Sequence, residues 1–140
     1  MAYVATDQPA SNVHMTAAVS LPASRAVLAH VEDRHADVVA ELMPIRTTLA
    51  RFGGSHAQRD ALQRTLVDSA IRSGQLQLAS SLIDERLAAR ETSVWSWQRR
   101  SQILTATGDT VAADRANQQA AAHAARFSAA AAQPMSPIAG

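Results

Sequence analysis

The chain has 140 residues, enough for one small domain. Hydrophobic residues make up 47%, much of it alanine, aromatics only 4%, and the formal net charge is +1. This balance excludes a broad electrostatic footprint for nucleic acid or membrane, and it points to thin, closely packed helices.

Cysteine is absent, which excludes disulfides, thiol catalysis and cysteine-ligated zinc and is compatible with the cytoplasm. All 13 basic residues are arginine, a bias that reads as GC-rich coding. No run of about 18 apolar residues exists to span a membrane. Met1 to Ser20 has no basic segment ahead of an apolar core, so it does not read as a signal peptide.

Residues 1–20 mix Pro9, Ser11 and Asn12 with small apolar residues. They are expected to form a disordered leader, with a short helix near Val13 to Val19 as the alternative. The folded domain is expected over residues 21–132. Pro22 fits a first helical position with Ser20 near the cap, opening a helix to about Glu32 that carries Ala26, Val27, Ala29 and Val31. Asp33-Arg34 makes a tight joint. A second helix starts near His35, with Val38, Val39, Leu42, Ile45 and Leu49 on one face. Pro44 lies inside that pattern and predicts either a kink near Ala40 to Met43 or a full break.

Gly53 and Gly54 then stop this helix, and Ser55 caps the next. Gln58 stands three residues on, the spacing of a capping box. Leu62, Leu66, Val67, Ala70 and Ile71 form the buried stripe of this third helix. Asp60, Arg64, Asp68 and Arg72 follow at steps of four, placing opposite charges turn by turn. Ser73-Gly74 ends it. A fourth helix spans about Gln75 to Ala89. Thr92 or Ser93 caps a fifth that carries Trp95, Trp97, Ile103 and Leu104 and closes at Gly108. Asp109 or Thr110 caps a sixth, with Ala113, Ala116, Ala120, Ala124 and Phe127 on one side. Its alanine stripe buries little area, so it should be the weakest docked element. Pro134 and Pro137 mark a disordered tail over 133–140.

Gly74 returns as Gly108 and Ala79 as Ala113, both after 34 residues, the tetratricopeptide period. Trp97 and Leu66 fall at large positions of the first helix in successive repeats, and Trp97, aligned with Leu104 at helical spacing, is the tryptophan expected in the core. Gln63, Glu91 and Arg100 depart from the pattern. The expected fold is all-α, an α-α superhelix of about three TPR-like hairpins.

Leu21-Pro22, Glu41-Leu42-Met43-Pro44-Ile45-Arg46 and Gly53-Gly54-Ser55-His56-Ala57-Gln58-Arg59-Asp60 resemble the C-terminal end of the tetratricopeptide repeat protein 38-like family. Leu66-Val67-Asp68-Ser69-Ala70 and Leu82-Ile83-Asp84-Glu85-Arg86-Leu87 continue the likeness, over roughly Ser20 to Ala125. The resemblance implies a helical-repeat protein of poorly defined activity. Members of that family are much longer, so the chain looks like a stand-alone C-terminal segment or a truncated remnant.

Ser55 beside His56 invites a hydrolase reading, but adjacent residues at a helix start do not converge as a nucleophile and base. His14, His30, His35, His56 and His123 lack metal-ligand spacing, and Gly53-Gly54 lacks the context of a phosphate loop. No cofactor, metal or catalytic residue is therefore expected. The candidate surface is the concave face, with Arg64, Asp68 and Arg72 from one hairpin beside Trp95, Gln98, Arg99 and Gln102 from the next. There the arginines would meet acidic groups, and Trp95, the expected exposed indole, would act as anchor. The Lys and Asn pattern of carboxylate-clamp repeats is absent. The expected function is protein or peptide binding, with self-association possible and neither nucleic acid nor membrane as partner. The alternatives are an enzyme accessory with a polar site at Ser55, His56, Arg59 and Asp60, or a remnant without function.

Overall fold

The computed structural model describes residues 10–52 and 55–132, with the backbone path alone described at 10–18 and 50–52. Residues 1–9 of the expected leader, Gly53, Gly54 and the 133–140 tail lie outside the described residues. Every regular element described is a helix: α1 (Ala10–Val31), α2 (His35–Leu42), α3 (Arg46–Phe52), α4 (His56–Arg72), α5 (Leu76–Ala89), α6 (Val94–Thr107) and α7 (Thr110–Ala132). The chain divides into two compact units, Met1–Gly74 and Gln75–Gly140.

In the first unit α1 begins at Ala10, not at Pro22, and Pro22 lies inside it. No glycine or proline falls between Ser11 and Leu21, so nothing there stops a helix. Pro22 removes one backbone donor without ending the element. At the far end Arg34 N–H donates to the Ala29 carbonyl at 2.8 Å and Asp33 N–H to His30 at 3.1 Å. Asp33 supplies the left-handed residue this closure needs, at φ 58°. That is the expected Asp33-Arg34 joint. Arg34 then bonds Glu32 and Asp37, each at 2.7 Å. Hydrogen bonding, to Asp37 first and Glu32 second, holds its guanidinium above the ordinary arginine range.

α1 packs on α2, and α2 on α4. Ala26, Ala29, Val38, Val39, Leu42, Leu66 and Val67 are buried. Val27 and Val31, expected on the inward face, are 58% and 73% exposed. They lie roughly 100–160° around the helix from Ala26 and Ala29, so one face cannot hold all four. Pro44 breaks the second expected helix rather than bending it. Having no N–H to offer the Ala40 carbonyl, it leaves Met43–Ile45 as a turn between α2 and α3. Ile45 N–H closes that turn on Leu42 at 3.3 Å, and its side chain is buried.

In the second unit α5 packs on α6 and α6 along α7. Ala79, Leu82, Ile83, Leu87, Ile103, Ala113, Ala116 and Ala120 are buried. Ser93 caps α6 by accepting from Ser96 N–H at 3.3 Å, and Asp109 caps α7 by accepting from Ala112 N–H at 3.1 Å. Ala124 and Phe127, expected to dock, are exposed, Phe127 at 76%. α7 therefore outruns the surface it packs against.

The two glycines at the 34-residue interval share one conformation, φ 78° at Gly74 and 89° at Gly108. Ala79 and Ala113 are both buried, at 0% and 3%. At Gly108 a Schellman closure forms, with Gly108 N–H on Thr105 at 3.1 Å and Asp109 N–H on Leu104 at 2.9 Å.

A Cβ at Gly108 would meet nothing within 4 Å, so the glycine serves backbone conformation alone. Gly108→Ala is expected to cost about 1–2 kcal/mol in urea unfolding, with Gly108→Asn recovering part of it. In α4 the Ser69 hydroxyl is fully buried and unpartnered among the described residues. Ser69→Ala should leave stability unchanged or raise it by about 1 kcal/mol, read by the same melts.

Candidate functional site

The Ser55–Asp60 stretch is a helix start. Ser55 has extended backbone, φ −70° and ψ 160°, and its hydroxyl accepts from Gln58 N–H at 3.2 Å. The Gln58 amide oxygen accepts from Ser55 N–H at 3.1 Å, completing the capping box that the spacing predicts. Arg59 Nη2 donates to His56 Nδ1 at 2.8 Å, so that nitrogen presents its lone pair. Asp60 pairs with Arg64 at 2.8 Å. The four polar residues thus engage in local helix bonds. Ser55 Oγ serves as a cap, and His56 Nδ1 faces a guanidinium rather than a nucleophile.

Arg59 also lines a crevice with Leu42, Arg46, Leu49, Leu62, Gln63 and Leu66, of about 10 Å³. That is room for roughly one water. Further along α4, Arg64 and Arg72 are exposed and Asp68 is half-buried. At steps of four these three share a face.

The other half of the expected surface lies on α6, in the second unit. Trp95, Gln98, Arg99 and Gln102 fall on one face of that helix. Trp95 is not the open anchor expected. The guanidiniums of Arg86 and Arg99 stand over its ring, each at 4.9 Å from the centroid. The indole is half-buried beneath them, in contacts of about 0.5–1 kcal/mol each. Gln98 and Gln102 are exposed.

Trp97, assigned to the core by its spacing, is also only half-buried. Its Nε1–H donates to the Glu91 carbonyl at 2.7 Å, and its ring stacks on His123, centroids 6.4 Å apart. Arg100 lies 5.5 Å from the same ring and pairs with Asp84. Beside Trp97 a cleft of about 450 Å³ opens within α5–α7. Its apolar lining is Ile83, Ile103, Leu104, Ala112 and Ala116, and its polar lining is Ser80, Arg100, Arg115 and Gln119. The volume lies in the range of ligand clefts. Arg115 is exposed and has no charged partner among the described residues.

Sequence reasoning missed this cleft. Its signal was present: Trp97, Arg100 and Leu104 stand at steps of three and four on α6, and Arg115 and Gln119 one turn apart on α7. In the repeat pattern Arg100 stands only as a departure. The imidazoles of His30 and His35 meet edge-on, centroids 5.9 Å apart, with Asp33 Oδ1 3.6 Å from His35 Nε2. Among the described residues no group of three or more His, Asp or Glu stands ready to hold a metal, and no helix is long and apolar enough to cross a membrane.

Because Ser55 works as a cap, Ser55→Ala is expected to cost about 1 kcal/mol in chemical denaturation. Ser55→Asp should retain most of the stability. No protein-family model and no solved structure matches this chain.

Proposed function

We propose that the chain is a helical-repeat interaction module, related to the tetratricopeptide repeat protein 38-like family, that binds a protein or peptide and carries no catalysis of its own. The 34-residue interval supports the repeat reading: the same left-handed glycine and the same buried alanine recur on either side of it. One observation carries the binding reading. An open cleft of about 450 Å³ in the second unit combines an apolar floor, an aromatic wall and two guanidiniums. Such a mixture of apolar area and a few aimed polar groups suits a side chain of a partner.

The α4 stripe of Arg64, Asp68 and Arg72 and the α6 stripe of Trp95, Gln98, Arg99 and Gln102 are secondary contact surfaces in this reading. The alternative of an enzyme accessory at Ser55, His56, Arg59 and Asp60 has less behind it, since their polar atoms are engaged in helix capping and side-chain pairing.

Selection of random twelve-residue peptides on the immobilised chain tests the proposal. Enriched sequences are expected to bind the wild-type chain and to lose affinity for a Trp97→Ala/Arg115→Glu variant. An Arg64→Ala/Trp95→Ala/Arg99→Ala variant should lose less. No enrichment, or enriched peptides indifferent to the first variant, would remove the cleft as the binding site.

A further inference from the structure

We propose that the α5–α7 cleft takes an acidic peptide, seating a large aliphatic side chain on its floor and a neighbouring glutamate or aspartate carboxylate at Arg115. The inference rests on the interaction-module reading and names the partner's chemistry.

Charge complementarity selects the occupant. Two arginines line the cleft and, among the described residues, no acidic side chain does. Arg100 is already balanced by Asp84 and lies over Trp97. Arg115 has no such balance among the described residues, so the cleft carries one uncompensated positive charge. Its planar fork fits a carboxylate in two parallel hydrogen bonds. Gln119 stands one helical turn beyond on the same helix. Its amide offers both a donor and an acceptor, as a peptide backbone requires.

The floor sets the other half of the specificity. The apolar lining of Ile83, Ile103, Leu104, Ala112 and Ala116 combines branched and small groups, with Leu104 and Ala112 the more open of them and Trp97 beside them. This is a surface for an aliphatic side chain rather than for a phosphate or a sugar. A partner matching both halves carries a leucine-like residue adjacent to an acidic one.

The test uses the full chain and fluorescein-labelled hexapeptides of sequence Gly-Ser-Leu-Glu-Ser-Gly, with Leu-Gln and Ala-Glu in place of Leu-Glu as controls, read by fluorescence polarisation. The Leu-Glu peptide is expected to bind roughly tenfold or more tightly than either control. Its affinity should fall by a similar factor in Arg115→Ala, further in Arg115→Glu, and in raised salt. Arg126→Ala, an exposed arginine on the same helix, should bind as wild type. Circular dichroism confirms that each variant keeps its helices.

Equal binding of the Leu-Glu and Leu-Gln peptides, with affinity still lost in Trp97→Ala, would overturn the acidic specificity and leave the interaction module standing. Absence of binding by all three peptides at roughly millimolar concentration would overturn both. Light scattering adds one more decisive arm. A dimer at the working concentration that dissociates in Arg115→Glu, with no peptide bound, would assign the cleft to a second copy of the chain and overturn the peptide.

Discussion

The indole of Trp97 is the interaction on which the second unit depends. One side chain on α6 reaches three other places: the Glu91 carbonyl before the helix, the His123 ring on α7, and the Arg100 guanidinium that pairs with Asp84 of α5. The rest of the α7 seam is alanine, which allows close approach and contributes little buried area per residue. Where a seam is that thin, one large ring with a satisfied N–H carries a disproportionate share of the fixed geometry. The same thinness leaves the cleft beside it. Alanines at 112 and 116 do not fill the volume that larger residues would close.

Polar pairing follows a consistent rule through both units. Serine and aspartate serve helix starts, as at Ser55, Ser93 and Asp109. Arginine serves neighbouring carboxylates and aromatic faces, as at Arg34, Arg64, Arg86, Arg99 and Arg100. A guanidinium engages a carboxylate and a ring equally well, because it is planar and more weakly hydrated than an ammonium. A chain without lysine can therefore lock its charges into structure. An arginine left out of these pairings, such as Arg115, then becomes informative.

Helix punctuation was legible in the residues because its causes are local. The capping box at Ser55 and Gln58 and the left-handed glycines at 74 and 108 each follow from backbone geometry within a few residues. So does the choice at Pro44, although the sequence left kink and break both open. A helix ahead of Pro22 stands in the sequence only as the alternative over Val13 to Val19, because no motif announces its start at Ala10; it continues through Pro22, which reads as a first helical position. Side-chain roles were less legible. Period alone placed Trp95 in the open and Trp97 in the core, yet both are half-buried. Which guanidinium covers an indole depends on neighbouring helices, and periodicity carries no information about them. Helical spacing likewise grouped Phe127 with Ala113, but it cannot say where a packing surface stops.

That overrun of α7 has a consequence for how heat acts on the protein. Beyond Ala120 the helix continues to Ala132 with every side chain exposed except half-buried His123. Its persistence there rests on the intrinsic preference of alanine for the helix, a preference that fades gradually with temperature rather than all at once. On warming, this segment should unwind from Ala132 inward by helix–coil exchange while the alanine seam behind it stays intact. Ellipticity will drift before any sigmoidal loss begins. The drift reports an elongation equilibrium along one helix end, and the sigmoid reports the cooperative melting of the packed helices.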